Sequence, residues 1–526
     1  MRAYPVGRLA LIPAAVPSAP DASQGRIRSL PGRVVASPWA WLLAIAPTLV
    51  IALVRWNAGA GLAVDDYAQY LLHARALIEG RPYGDTGYIW TAHAPFVSPR
   101  LMPPGEPLLL AAVFLVTGFS LVAAKCVTLA TLLVFAFVAG RAVQAHDGRE
   151  AGLAVTLLIG LAEPIMLFST TANSDLTYCA SLWLLILLVD APGRWSWGRI
   201  TALGALGLYS MAVRTVGIVL VPAVLLVAIS RRRELGWRGF APPALWSAVG
   251  VATVAVMPAG TGLLHAVLRL FQLGNLRVLG NLRTYRISAF ETLLHPFPNA
   301  FTNDAWHAAS AALVVMGLVP WIRPAASRLA LSFGVTYVAA LAVLPLAQGR
   351  YLWPVAPLIL LGLWRGLTIT ARFLERQWPT LPRWAPAAIV VLLASAGVIR
   401  LATAPPPGRL AQVPDVRALF DVVRAEAARA PMRVTFFKPR VLTLETGVPA
   451  MSPFAAEPSV VLSELRQRCI THVVIGNLGT GRAAVVAFNR AVVRRAELFT
   501  RVYTNPSFRL YRFEGGRCAT ATGGGP

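Results

Sequence analysis

DDYAQYLLHARALIEGRPYGDTGYIW at residues 65–90, followed by SPRLMPPGEPLLLA at residues 98–111, is the stretch on which the reading of this chain turns. Two adjacent carboxylates, Asp65 and Asp66, come directly after the first long apolar run. Charges that close to a bilayer are costly unless they face water or a partner, so they mark a site by default. Asp66, Tyr70, His73 and Leu77 then recur at helical spacing, which predicts an amphipathic helix lying on the membrane surface with its polar stripe toward a cavity. An ordinary interfacial helix with a solvated aspartate at its start competes with that reading for either residue alone. A second acidic turn at Asp85, a Pro-Pro turn and an apolar segment follow, and this order is more specific than any one of its parts.

Outward from this stretch the chain is a membrane protein. Of its 526 residues 56% are hydrophobic and only 13% charged, whereas soluble proteins carry about 25% charged residues. The apolar residues fall in runs, several reaching the roughly 20 residues that a spanning helix needs. Spans are expected at Pro38–Trp56, Lys125–Arg141, Ala151–Phe168, Leu176–Val189, Ile200–Val213, Thr215–Ser230 and Pro242–Val267, and near 305–321, 328–346, 351–370 and 384–403. That makes about eleven crossings, with Glu106–Gly118 too short to cross and read as re-entrant or interfacial.

The net charge of +25 raises the question of nucleic acid. Its distribution answers it, because arginines recur in short gaps between apolar runs, as topology signals do, without a basic block interleaved with stacking aromatics. Nucleic acid is therefore excluded as a partner. Residues 1–37, with Arg2, Arg8, Arg26, Arg28 and Arg33, read as a disordered cytoplasmic tail. The arginines at 141, 149, 194, 199, 231–233, 238, 323, 328, 365, 372, 376 and 383 then share the cytoplasmic side. On this scheme Asp65, Asp66, Asp175, Arg214 and Arg350 all meet on the opposite side. Arg269, Arg277, Arg283 and Arg286, in a long outer loop, suit either anionic phosphate or a plain basic surface.

Residues 38–403 thus form the expected membrane domain, and 404–526 a second one. After the APPPGR linker, the helical pattern DVRALFDVVRAEAARA (415–430) precedes β-rich runs RVTFFK, THVVIG, LFTRVYT and FRLYRFE, which predicts a small extracytoplasmic α/β domain. Of four cysteines, Cys126 and Cys179 lie in apolar runs as small buried side chains. Cys469 and Cys518 could pair if their region faces an oxidising compartment.

Asp65-Asp66-Tyr67, RPYGD, MPPGEPLLLA, Asn173-Ser174-Asp175, RTVGIVLVPA (214–223) and QGRYLWPVAPLILL (348–361) together resemble GT-C-fold glycosyltransferases, in the branch of protein O-mannosyltransferases and lipid A aminoarabinose transferases. The likeness covers residues 38–403 in order. Members more often show Asp-Glu where this chain has Asp65-Asp66, which leaves the base open between the two. The resemblance implies a multi-pass enzyme of the bacterial inner membrane, with its N-terminus cytoplasmic and its active side outside. It would use a polyprenyl-phosphate-linked sugar donor, invert the anomeric carbon, and deliver the sugar to a lipid, glycan or protein acceptor.

That chemistry asks for a carboxylate to take the acceptor proton, Asp65 or Asp66, and for cations at the departing phosphate, Arg214 and Arg350 with Tyr351 and Lys125 beside them. Asp175, Asp85 and His93 are candidate substrate contacts, and Glu106 is another loop candidate. Arg214 and Arg350 also suit a plainer role, stems in lipid and heads at the interface. No cofactor is called for; a divalent ion fits the carboxylates but no ligand spacing compels it. A lipid-linked glycan transporter would show repeats and mid-membrane charges that are missing here, and an O-antigen ligase or polymerase would not need the early acidic pair.

Overall fold

The computed structural model describes residues 37–56, 65–94, 98–169, 171–191, 193, 195–256, 278, 280–285, 300–321, 328–343, 348–380, 382, 384–403, 410–476 and 483–515. Residues 41–526 form one compact unit and residues 1–40 another. Residues 1–36 of the expected N-terminal tail (1–37), the linker at 404–409, and Arg269, Arg277 and Arg286 lie outside the described residues.

Helices dominate. Among the described residues three are long and apolar enough to cross a membrane, Leu121–Leu161, Gly349–Gln377 and Ala385–Thr403, or four if Thr215–Ser230 and Arg232–Ala252, bent by 82° at their junction, count as one. The expected eleven crossings are therefore not confirmed by helix length and composition among the described residues. Several runs that read as spans make helices of 10–17 residues, such as Ala40–Val54 and Leu329–Val343, too short to cross about 30 Å alone at 1.5 Å per residue.

The 41-residue helix Leu121–Leu161 is itself a hairpin. Gly148, at φ +85°, breaks its helical backbone. Thr156 Oγ1 donates back to the Ala136 carbonyl at 3.1 Å, so the two halves lie side by side, turning within the expected loop RAVQAHDGRE. Helices pack through small residues as bilayer helices do. A Cβ on Gly317 or Gly366 would strike the backbone of the partner helix in the Ala300–Leu318 and Ala356–Gln377 pair. Large apolar side chains such as Val116, Val251, Leu392 and Ile399 face outward, a surface suited to lipid rather than water.

Ser174–Asp190 is the buried central helix, and its two ends differ. At the Asp190 end, Asp190 accepts from Leu329 N at 2.9 Å and His146 stands 3.3 Å away. Arg199 donates to the carbonyls of Leu188, Val189 and Ala191, and Arg365 pairs with Asp147 at 3.3 Å. Arg199, Arg231 and Arg365, three of the arginines expected to share one side, meet at this end. The Asp175 end lies about 25 Å away along the helix and carries the site described below.

The chain from Leu410 onward alternates helix and strand. β1 (Tyr88–Ile89), β2 (Val434–Thr435), β3 (Ala450–Met451), β4 (His472–Gly476), β5 (Phe499–Thr504) and β6 (Phe508–Phe513) form one sheet in the order β1-β3-β2-β4-β6-β5. β1, β3, β2 and β4 run parallel, while β6 is antiparallel to β4 and β5. The four expected β-rich runs supply β2, β4, β5 and β6. β1 comes from the segment after the Asp65–Ile78 helix, pairing Tyr88 with Ala450 and Ile89 with Met451, and so ties the N-terminal helical half to the C-terminal sheet. Cys469 is disulfide-bonded, Cys126 and Cys179 are free, and Cys518 lies outside the described residues.

The helix Asp65–Ile78 is buried along most of its length. Tyr67, Tyr70, Leu71 and Ala74 pack against Leu110 and Phe114 of the apolar helix Gly105–Thr117. Ala68 enters the outer core with Phe420, Phe436 and Leu442. The expected stripe toward a cavity is thus corrected, since Tyr70 and His73 are buried in protein. The helix is clamped between two partners because it offers apolar side chains on both faces.

Candidate active site

Five separate segments bring their charged residues to one point, and local backbone explains each placement. Asp65 and Asp66 occupy the first turn of their helix, where carboxylates suit the positive end of the dipole. Asp175 sits in the first turn of Ser174–Asp190, its N–H capped by the Asn173 side chain at 2.6 Å. Arg214 stands where Trp197–Val213 stops, its own backbone extended at φ −146° and ψ 129°. Just before it, Gly105 touches Val213 so closely that any Cβ would strike backbone. Arg350 and Tyr351 lie in the 3-10 turn Gly349–Val355. Arg440 opens the outer-domain helix Pro439–Thr446, behind a proline at its first position.

The contacts alternate acid and base. Arg440 Nη1 donates to Asp66 Oδ1 at 3.0 Å, and Arg350 Nη2 donates to Asp66 Oδ2 at 3.2 Å. The other Arg350 terminal nitrogen lies 3.5 Å from Asp175 Oδ2 and 3.5 Å from the Tyr67 hydroxyl. Arg214 pairs with Asp175 Oδ1. Both guanidinium groups stand over the Tyr351 ring, Arg214 at 5.2 Å and Arg350 at 5.6 Å from its centroid, so that ring fixes their separation. Ser174 Oγ donates to Tyr70 Oη at 2.7 Å, locking the Asp65–Ile78 helix to the helix that carries Asp175.

Asp65 differs from its neighbour. It accepts the backbone N–H of Arg440 at 3.1 Å, while the Arg440 Nε stays 3.7 Å from its other oxygen. Burial pushes the Asp65 carboxyl above the ordinary carboxylate range, against the pull of Arg440 and Lys438. Burial also raises Asp66, but Arg440 and Arg350 outweigh it and hold that carboxyl below its ordinary value. Two adjacent carboxylates whose environments drive them apart suit different tasks.

The structure unites Asp65, Asp66, Asp175, Arg214, Arg350 and Tyr351, and leaves Asp85 and His93 elsewhere. Asp85 is exposed and pairs with Arg81 at 3.2 Å, answering a local charge. His93 stacks on Phe454 at 5.1 Å and faces Glu464 at 3.8 Å, a bracket between the first outer segment and the outer domain. Lys125 and Glu106 are buried in their helices. His73 gives its Nδ1 proton to the Tyr83 carbonyl at 2.7 Å and faces Gln69 at 2.8 Å. Burial lowers its pKa to about 4, so it stays neutral and structural.

Arg440 is the residue that sequence reasoning misses. Its run, FKPRVLT, reads only as basic; the available signal is Pro439 at a helix start, which leaves the next N–H free to meet an anion. Among the described residues no group of three His, Cys, Asp or Glu side chains converges as metal ligands. Guanidinium groups stand between the carboxylates, so this donor set does not fit a divalent ion, and no step is derived through one.

A helical half joined to an α/β domain, with a charged cluster where they meet, is an architecture shared with solved structures of GT-C fold. Among solved structures the chain is similar to ArnT from Cupriavidus metallidurans in the apo state, with TM-score 0.53, 16% identity, and coverage of 91% of this chain and 98% of that one. It is also similar to the Archaeoglobus fulgidus oligosaccharyltransferase with Zn and sulfate, with TM-score 0.53, 12% identity, and coverage of 90% and 72%. The archaeal oligosaccharyltransferase AglB with an inhibitory peptide and a dolichol-phosphate matches with TM-score 0.51, 11% identity, and coverage of 92% and 76%. Identity this low carries the fold alone. No family profile and no curated protein matches the sequence.

Proposed function

We propose that this chain is an inverting membrane glycosyltransferase that moves a sugar from a polyprenyl-phosphate donor to an acceptor hydroxyl on the outer face of the bacterial inner membrane. The observation that carries this reading is the alternating cluster of Asp65, Asp66 and Asp175 with Arg440, Arg350 and Arg214 at one end of the bundle. The placement also favours it, because the Asp175 end lies beneath the outer domain and opposite the arginine-rich Asp190 end.

The acceptor oxygen attacks the anomeric carbon, the bond from that carbon to the phosphate oxygen breaks, and configuration inverts. The acceptor proton passes to a carboxylate, and the bonding pair leaves with polyprenyl phosphate. Asp65 is the base: its raised affinity for a proton and its looser contacts suit proton transfer. Asp66, gripped by two guanidinium groups, orients them. Arg350 and Arg214 meet the departing phosphate, whose negative charge grows in the transition state, with Tyr351 holding the pair and Asp175 aiming it. The outward apolar side chains supply a lipid-facing wall for the polyprenyl tail. The similar AglB structure holds a dolichol-phosphate, a donor lipid of this chemical class. The acceptor is a lipid, glycan or protein hydroxyl.

The test is transfer by membranes carrying Asp65→Asn. The variant should express normally, retain polyprenyl phosphate and lose sugar transfer. Undiminished turnover would refute Asp65 as base and pass the question to Asp66→Asn. Mass spectrometry of surface glycans and glycolipids, deletion strain against wild type, would identify sugar and acceptor.

A further inference from the structure

Arg440 lies 374 residues from Asp66 in sequence, yet it touches both carboxylates of the acidic pair. Its side chain is only 4% exposed, and its guanidinium stands 4.6 Å from the centroid of the Tyr88 ring. Tyr88 is held in turn by β1 pairing with β3 of the outer domain. Gly87, one residue earlier, is at φ +72° and lies so near the Arg440 helix that a Cβ there would strike the Thr443 methyl. Two outer-domain elements, β3 and the Pro439–Thr446 helix, therefore fix one guanidinium against the start of the Asp65–Ile78 helix.

Resting on the function proposed above, we propose that Arg440 is a positioning residue. From the outer domain it holds the Asp65 and Asp66 carboxylates in their working arrangement, so the site is complete only when that domain is docked. The division of labour follows from geometry. The Arg440 N–H fixes one Asp65 oxygen at 3.1 Å, leaving the second to meet the acceptor. Its Nη1 takes the Asp66 oxygen that Arg350 does not take. The charged groups facing the pair are Arg440 and Lys438 from the outer domain, and Arg350 and Arg214 from the membrane half. Arg440 pairs with both carboxylates.

The experiment uses the full chain in detergent, as wild type, Arg440→Met and Arg440→Lys. Transfer is measured with a panel of radiolabelled polyprenyl-phosphate hexoses and pentoses, and binding with polyprenyl phosphate itself. Arg440→Met should lower kcat by roughly 10²-fold, the loss typical when reacting groups are misplaced by about 1 Å, with binding changed less than about threefold. Arg440→Lys should recover part of that loss, since it keeps the charge but not the fork.

A second readout needs no turnover: the pH dependence of carbodiimide labelling at Asp65 and Asp66, followed by peptide mass spectrometry. Carbodiimide reacts with the protonated carboxyl. Loss of the guanidinium should therefore move the Asp66 midpoint upward by about one pH unit or more, whereas Arg440→Lys should leave it near wild type. A purely structural arginine would reduce the folded fraction without moving the midpoint of what remains folded. An unmoved midpoint with undiminished kcat in Arg440→Met overturns the proposal. If wild type transfers none of the sugars, the functional reading fails, and the labelling shift still decides whether Arg440 holds the pair.

Discussion

Replacing Arg350 by methionine separates a phosphate-binding guanidinium from one that merely neutralises buried acids. The Arg350 side chain is 13% exposed and that of Asp175 6%. Removing one partner of a buried pair ordinarily costs about 3–5 kcal/mol, because the other charge is left alone. Here neither acid is abandoned: Asp66 keeps Arg440 at 3.0 Å and Asp175 keeps Arg214. Stability should therefore fall only by about 1–3 kcal/mol, the worth of hydrogen bonds to charged groups. The cluster as a whole changes more. Three carboxylates would face two guanidinium groups, one cation fewer to meet an anionic leaving group. Losing one donor aimed at developing charge costs roughly 10²–10³ in turnover. The assay is sugar release from radiolabelled polyprenyl-phosphate donors, alongside thermal unfolding of the same preparation. Turnover within threefold of wild type would refute the reasoning. A loss of activity matched by an equal loss of folded protein would return Arg350 to a packing role.

Acidity should reveal which carboxylate is the base. With Asp65 raised above the 3.8 of an ordinary aspartate, kcat/KM should fall on acidification at a pH above that value, as the base takes up its proton. In Asp66→Asn the neighbouring anion that raises Asp65 is gone, so the acid limb of the residual activity should move to lower pH; a limb that moves upward contradicts the assignment. Gly317→Ala places a methyl against the Gly362 carbonyl across two packed helices, and the enforced separation should cost about 1–3 kcal/mol, read as a lower melting temperature. A melting temperature equal to wild type would deny the close approach. A phosphatase fused after Arg517 should be active only outside the cytoplasm, and activity of a cytoplasmic-type reporter there would reverse the orientation.

The acidic pair, the second carboxylate at Asp175 and the arginines at 214 and 350 were legible because charge beside long apolar runs is costly and therefore rare. Each sits at a break that sequence chemistry marks: a first helical turn, an Asn cap, the end of an apolar run, a Gly before an aromatic turn. The strands β2, β4, β5 and β6 were legible from their β-branched and aromatic content. Less so was the span count, since hydropathy measures apolar length but not where a helix stops. The turn at Gly148 within RAVQAHDGRE was legible, but the runs expected at Pro38–Trp56 and 328–346 make helices of only 15 residues each, Ala40–Val54 and Leu329–Val343.

By itself, then, the sequence determined that this chain lives in a bilayer, which residues could not rest there unpaired, and that a mixed α/β segment follows. Tertiary structure alone decided that Tyr88–Ile89 would complete the outer sheet, that the Asp65–Ile78 helix would be buried on both faces, and that Arg440 would reach the acidic pair. Local composition reports the cost of each group in its surroundings, whereas partners hundreds of residues apart are chosen by packing, which no short stretch of chain contains.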